Sequence, residues 1–183
     1  MIDHDDLSEE DEQAHHDRAT SIDYGFTADM LDLQEGRWPV PLLGDDERLA
    51  LLAGARRIAV IGASDDRNRP SNGVMRYLQH HGYECVPVNP TVREVLGVRT
   101  FRTLEDAVRD TGPFDIVDVF RRPEHTPHIA ESAVATGARA LWMQLGVVNW
   151  EAARIAHEGG LDVVMDRCAA IEHRRLRAER NLG

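Results

Sequence analysis

The sequence contains no lysine, and all 21 of its basic residues are arginines. Lysine forms Schiff bases and completes the G-x-x-x-x-G-K-[ST] phosphate-binding loop, so its absence excludes both kinds of chemistry. Cysteine is scarce as well, with Cys85 and Cys168 as the two examples. Two thiols are too few for a disulfide framework, and this is typical of proteins from a reducing compartment.

Long apolar segments are also missing from the sequence. No run approaches the roughly 18 residues that a membrane-spanning helix requires. Residues 1–12 are acidic, unlike the positively charged start of a secretory signal. We therefore expect a soluble, cytoplasmic protein that does not associate with membranes.

Positive charge is outweighed by negative charge, with a formal net charge of −11. Eight acidic residues and no basic ones lie in residues 1–17, which leaves 24 acids against 21 bases elsewhere. A basic nucleic-acid-binding surface is therefore excluded. We divide the chain into an acidic disordered tail (1–18), a helical lead-in (19–55) and a main domain (56–183).

The main domain alternates short β-branched segments with amphipathic ones. Strands are predicted over residues 58–61, 83–88, 115–120, 140–143 and 161–165, with a poorer one over 98–101. The helices between them are predicted over 71–81, 104–109, 123–137 and 149–159. This alternation predicts a Rossmann-like, doubly wound α/β fold with a mainly parallel sheet and helices on both faces. The expected strand order is 3-2-1-4-5, with the last strand at the edge.

Ligands of such sheets bind beyond the carboxyl ends of the strands. Gly62 follows the first strand and permits close approach of the backbone. Ser71 is expected to cap the next helix, whose free N–H groups can bind an anion. An ordinary loop with a helix cap explains these residues equally well.

Arginines follow several of the predicted strands: Arg67, Arg69, Arg93, Arg121, Arg122 and Arg167. Because guanidinium groups bind phosphate bidentately, this pattern favours a phosphorylated nucleotide or cofactor. An NAD site usually has G-x-G-x-x-G and an acidic residue after the second strand. In this sequence only Gly62 matches the glycine pattern, and Asn89-Pro90 stands after the second strand where the acidic residue is expected. NAD is therefore disfavoured, whereas NADP remains an alternative.

Seven segments resemble, in order, the family of small stand-alone CoA-binding domains. They are IAVIGAS (58–64), RPS (69–71), VPVNP (86–90), VDVFRRP (117–123), WMQLGVVN (142–149), DVVMDRC (162–168) and IEHRRL (171–176). The resemblance covers about residues 56–176. The family is in turn similar to the CoA-binding domain of succinyl-CoA synthetase.

The resemblance implies a Rossmann-like domain that binds coenzyme A with residues from several strand ends. The diphosphate region is assigned to Gly62, Ala63, Ser64, Arg69, Pro70 and Ser71. Asn89 and Pro90 are expected at the adenosine, with Arg93 near its 3′-phosphate. Val119, Phe120 and Arg121 are expected along the pantetheine, with Gln144 and Gly146 at its far end.

Cys168 is included in the predicted binding site because it directly follows the last strand, beside Arg167. A neighbouring guanidinium and a helix start lower the pKa of a thiol, so Cys168 is a candidate redox partner of the CoA thiol. The preferred interpretation of Cys168, however, is a small apolar residue that packs in the core.

We therefore predict a protein without catalytic activity that binds CoA or acyl-CoA and acts as a sensor, carrier or regulator. The alternatives are an NADP-dependent reductase or a subunit of an acyl-CoA synthetase, and an interaction module that acts through the acidic tail. No catalytic residue and no metal site are predicted. His125 and His128 lie one turn apart, but they are interpreted as exposed helix residues.

Deletion of residues 1–18 should leave folding and CoA binding intact. The tail is too polar to bury the apolar area that would offset the entropy of ordering it. The melting temperature of the shortened chain with saturating CoA should therefore stay close to that of the full chain. A large decrease would show instead that the tail contacts the domain.

Overall fold

The computed structural model describes residues 27–181, so the predicted tail (1–18) lies outside the described residues. The helices are α1 (Ala28–Gln34), α2 (Asp45–Gly54), α3 (Pro70–His80), α4 (Leu104–Thr111), α5 (Thr126–Ala135), α6 (Trp150–Glu158) and α7 (Ala169–Asn181). The strands are β1 (Arg57–Ile61), β2 (Glu84–Val88), β3 (Glu94–Val95), β4 (Val98–Arg99), β5 (Ile116–Val119), β6 (Ala140–Met143) and β7 (Asp162–Val164). Within residues 27–181, no helix combines the length and apolar character needed to cross a bilayer.

Five parallel strands form the main sheet, in the order β2-β1-β5-β6-β7. The chain starts near the middle with β1, adds β2 on one side, and then builds β5, β6 and β7 on the other. Each connection between neighbouring parallel strands carries a helix. The predicted Rossmann-like α/β fold is confirmed, and the direction of the chain reverses between β1 and β5.

The predicted third strand over residues 98–101 is wrong as a member of this sheet. Instead, β3 and β4 form a small antiparallel pair of their own, joined at Leu96 and Gly97, which both have positive φ. Phe101 alone bridges to β2, since its N–H donates to Pro87 O at 3.0 Å and its carbonyl accepts from Asn89 N at 2.8 Å. Because residues 94–99 form this hairpin, they do not extend the main sheet as a strand.

Helices cover both faces of the sheet because strand residues alternate in direction. Ala59, Val117 and Leu141 belong to an apolar layer with α4, α5 and α6. Ile58 and Ile116 belong to the opposite layer, with α2, α3 and α7. Both layers are anchored on strand residues that are at most 1% exposed.

Two helix starts differ from their predictions. α3 begins at Pro70 with Arg69 as its N-cap, so Ser71 lies inside the first turn. Proline suits this position because its missing N–H has no partner in a first turn. Pro123 begins a short 3-10 turn (Pro123–His125), and α5 starts separately at Thr126. The Thr126 hydroxyl donates to Pro123 O at 2.7 Å and fixes this turn.

The described part of the lead-in packs on the main domain. Asp29 accepts two hydrogen bonds from Trp150, one at its carboxylate from the peptide N–H (3.0 Å) and one at its carbonyl from the indole (3.1 Å). Further along, Leu43 N donates to Val163 O at 2.9 Å and so occupies the edge of β7. The predicted Asn149 cap of α6 is confirmed, since Asn149 accepts from Ala152 N at 2.8 Å.

Gly159→Ala should destabilise the packing of α5 against α6. A Cβ at position 159 would lie 2.4 Å from Val134 Cγ2, and a β-branched side chain has little freedom to move aside. The free energy of unfolding should fall by roughly 1–3 kcal/mol, as for other overpacked sites. Chemical denaturation measures the change.

Gly54→Ala is the matched control. Gly54 also ends a helix, but a Cβ there would meet its nearest neighbour at an ordinary 3.6 Å. Adding Val134→Ala to Gly159→Ala should recover part of the loss. Equal stability of both glycine variants would contradict the predicted collision.

Candidate functional site

A pocket of about 540 Å³ lies where the segments after β1, β2 and β5 meet, beyond the carboxyl ends of these strands. This volume is within the usual range for nucleotide and cofactor sites. Its lining residues are Gly62, Ser64, Arg69, Pro70, Ser71, Asn89, Phe120, Arg121, Arg122 and His125. The pocket therefore lies at the point where the chain reverses direction in the sheet, as expected for this fold.

Two asparagine side chains hold the loop between β1 and α3 in place. Asn72 donates to Ser64 O at 2.9 Å, and Asn89 donates to Ala63 O at 2.8 Å. Because Asn72 is 1% exposed, its amide ties the loop to the body of the domain. The start of α3, with the Ser71 hydroxyl and the free N–H groups of a helix N-terminus, then faces the pocket.

Gly62 allows the walls of the pocket to touch. It has a φ of 82°, and a Cβ at this position would lie 2.9 Å from both Phe120 O and Arg121 Cδ. Phe120 N also donates to Ile61 O at 2.9 Å. A larger residue at position 62 would push the segment after β5 away from the loop after β1.

The pocket is cationic in an acidic protein. Arg69, Arg121, Arg122 and His125 line it, whereas its ten described lining residues include no Asp or Glu. Within residues 27–181, neither Arg69 nor Arg121 forms an ion pair, and Arg122 is 3.9 Å from Glu124. Unpaired guanidinium groups that converge on one cavity are suited to an anion with more than one phosphate.

Eight of the predicted binding residues line this pocket together: Gly62, Ser64, Arg69, Pro70, Ser71, Asn89, Phe120 and Arg121. Ala63 and Val119 lie directly beside it in the chain, but both are fully buried in the core. Pro90 and Arg93 are exposed on the segment after β2 and do not line the pocket. The sequence could not distinguish Ala63, Pro90 and Val119, because each is adjacent in the chain to a residue that lines the pocket.

Gln144 and Gly146 have structural partners away from the pocket. Gln144 is 4% exposed and donates to Asp118 Oδ1 at 2.8 Å. The Gly146 N–H donates to Asp166 Oδ1 at 2.7 Å. These contacts connect the ends of β5, β6 and β7 to one another, so both residues stay predictions as CoA contacts.

Cys168 is a core residue, as the packing interpretation predicts, and the lowered pKa expected beside Arg167 is wrong. Cys168 is 6% exposed and packs in the apolar layer of α7. Burial raises its thiol pKa, which outweighs the opposing hydrogen bonds from Ile171 and Ala170 N–H groups. The same cause raises the pKa of the buried Cys85 to about 12. Neither thiol therefore has the thiolate character that a redox partner of CoA needs.

Asp118 is a fully buried carboxylic acid on β5, between β1 and β6. Its Oδ2 has no hydrogen-bond partner within the described residues. Burial raises its pKa to about 7, against the opposing hydrogen bonds from Gln144 and the Val119 N–H.

Sequence reasoning missed His125 as a pocket residue and treated it together with His128. Both histidines are exposed, as expected, but His125 lines the pocket, whereas His128 lies outside it beside Glu131, with 3.4 Å between Nδ1 and Oε2. Across residues 27–181, no cluster of His, Cys, Asp and Glu is suited to a metal. The missed signal is Pro123 two residues earlier, because it begins a turn at the end of β5 and not a continuous helix.

The family model for a CoA binding domain matches residues 56–174. The chain belongs to this CoA-binding domain family. The match begins just before β1 and ends inside α7, so it contains the whole sheet and every lining residue of the pocket.

This CoA-binding domain is similar to proteins of several organisms. The "Uncharacterized protein YneT" of Bacillus subtilis is 44% identical over 123 residues, which cover 67% of this chain and 89% of that protein. A hypothetical protein from Pyrococcus horikoshii is 38% identical, with a TM-score of 0.70 over 74% of this chain and 93% of its own. A protein from Thermus thermophilus is also 38% identical, with a TM-score of 0.68, and the match covers 73% of this chain and 99% of that protein.

Asp118→Asn should make the protein more stable at pH 8. The pKa of Asp118 is raised in the folded state, so its contribution to stability is present below pH 4 and lost as pH rises through about 7. The neutral amide removes the cost of burying a charge. Each unit of raised pKa corresponds to about 1.4 kcal/mol, which predicts a gain of roughly 2–4 kcal/mol.

The difference in free energy of unfolding between variant and wild type should grow between pH 5 and pH 8. Urea denaturation at both pH values measures it. Asp46→Asn, which changes an exposed carboxylate on α2, is the surface control and is measured in the same way. A pH-independent effect of Asp118→Asn would show that Asp118 is charged throughout this range.

Proposed function

We propose that this protein binds coenzyme A or an acyl-CoA reversibly in the pocket between β1, β2 and β5, and that it does so without catalysing a reaction. The observation that carries the proposal is a pair of arginines, Arg69 and Arg121, that form no ion pair with a described residue and line a pocket at the point where the sheet reverses direction. CoA carries a diphosphate and a 3′-phosphate, so it fits a cavity that supplies several cations and no carboxylate.

The geometry suggests how the residues divide the ligand. Ser71 and the first turn of α3 offer hydroxyl and N–H donors to the diphosphate, with Arg69 beside them. Gly62 lets the ligand approach the backbone closely. Arg121 and the half-buried Phe120 form the opposite wall, where an apolar arm can pass next to a cation.

The chemistry of the lining supports a holding role over a catalytic one. The polar groups that line the pocket are guanidinium, imidazole, hydroxyl and amide groups. These groups bind phosphate and position a ligand. The two buried cysteines have raised pKa values and lie outside the lining, so we do not assign them a covalent role.

Binding of CoA should be much tighter than binding of NAD. Asn89 follows β2 where an NAD site usually has a carboxylate for the ribose hydroxyls. NADP is the informative competitor, because it carries a diphosphate and a further phosphate on its adenosine ribose, as CoA does, and because it remained an alternative in the sequence. Calorimetry with the full chain and the three ligands at one ionic strength decides between them.

Arg69→Ala should weaken CoA binding by roughly 1.5–3 kcal/mol, the range for a hydrogen bond to a charged group. Arg67→Ala is the matched control, because Arg67 is an exposed arginine of the same loop and does not line the pocket. Tight NADP binding without CoA binding would reject the proposal. Equal effects of the two variants would remove Arg69 from the site and leave only nonspecific attraction between charges.

A further inference from the structure

His125 is a pocket residue for which neither the family match nor the proposed function gives a role. It ends the 3-10 turn after β5 and is the N-cap of α5. Its side chain caps no N–H of that helix, and within residues 27–181 its imidazole has no hydrogen-bond partner. The ring is therefore available to a ligand in the pocket that it lines.

The backbone beneath this imidazole is held firmly. His125 N donates to Arg122 O at 3.0 Å, and the fully buried Thr126 donates its hydroxyl to Pro123 O. Asn149 donates to the same carbonyl at 3.1 Å, which connects the turn to the start of α6. A rigid turn that presents an unpaired side chain to a pocket fulfils the geometric requirement for a specific contact.

The charged groups that share the pocket with His125 are cations. Arg69 lines it from the start of α3, and Arg121 and Arg122 line it from the segment after β5. The titratable residues next to His125 in the chain do not line the pocket: Glu124 in its own turn, and His128 and Glu131 in the next turn of α5. A phosphate bound beside the imidazole electrostatically favours its protonated form. Binding of a phosphorylated ligand therefore favours the protonated ring.

We propose that His125 binds a phosphate of the ligand in its protonated form, so that ligand binding takes up a proton and the protein holds its ligand more tightly as pH falls. The proposal rests on the proposed function for the identity of the ligand. It adds a regulated contact to the fixed charge of the arginines, because imidazole alone among these groups changes its charge between pH 5 and pH 8.

The test is calorimetry of the full chain with CoA between pH 5.5 and 8.5, at constant ionic strength, for wild type, His125→Gln and His128→Gln. The quantity compared is the ratio of each variant's Kd to that of wild type at the same pH. Protonation of the phosphates themselves is common to all three proteins and cancels in this ratio.

For His125→Gln, the ratio should be about ten- to a hundredfold at pH 5.5 and approach one at pH 8.5, as expected for loss of a charged hydrogen bond. Wild type should also take up more protons on binding than His125→Gln, which repeated titrations in buffers of different ionisation enthalpy measure. For His128→Gln, the ratio should stay near one throughout, since His128 does not line the pocket.

A ratio for His125→Gln that does not change with pH would overturn the proposal, as would an equal change in His128→Gln. If wild type does not bind CoA at any pH, the proposed function is wrong, and the same titration is made with inorganic pyrophosphate. A pH-dependent ratio with pyrophosphate would then support the role of His125 at a different phosphorylated ligand. Absence of pyrophosphate binding would reject it.

Discussion

The loop after β1 and the segment after β5 are pressed together at Gly62, where a methyl group would lie within 2.9 Å of the opposite backbone. The Phe120 N–H donates to Ile61 O across the same contact, so the two strand ends continue to pair beyond the sheet. Arg69 extends from one side of this contact and Arg121 from the other. The distance between the backbone positions of these two arginines is therefore determined by the packing of the two segments.

The chain uses arginine, its only strongly basic residue type, in two different ways. Between α2 and α7, the buried Arg48 donates to Glu172 at 3.1 Å, and Arg175 bridges Glu172 and Asp45. Charges there are neutralised within the fold, as burial requires. In the pocket, Arg69 and Arg121 are exposed and form no ion pair with a described residue. Keeping acidic residues out of the lining leaves the positive potential for a ligand.

The sequence was sufficient for the fold because the strand segments are short, β-branched and regularly spaced with helices. The sequence was less reliable where one or two residues decide a boundary. Helix α3 begins at Pro70 and not after Ser71, and the turn at Leu96 and Gly97 places residues 98–99 in a separate hairpin outside the main sheet. In the site, residues of the loop after β1 were predictable from their place at a strand end. The burial of Cys168 and the placement of His125 depend on how α7 and the 3-10 turn pack, which local sequence does not reveal.

Both edges of the parallel sheet are already engaged by segments that are not strands. Phe101 exchanges two hydrogen bonds with the chain at the end of β2, where Pro87 also removes a donor, and Leu43 donates to β7 on the far side. Exposed edges are the usual template for strand addition and for edge-to-edge aggregation. A protein that recognises this domain by adding a strand would first have to displace one of these segments. Recognition through the helices or the rim of the pocket requires no such rearrangement.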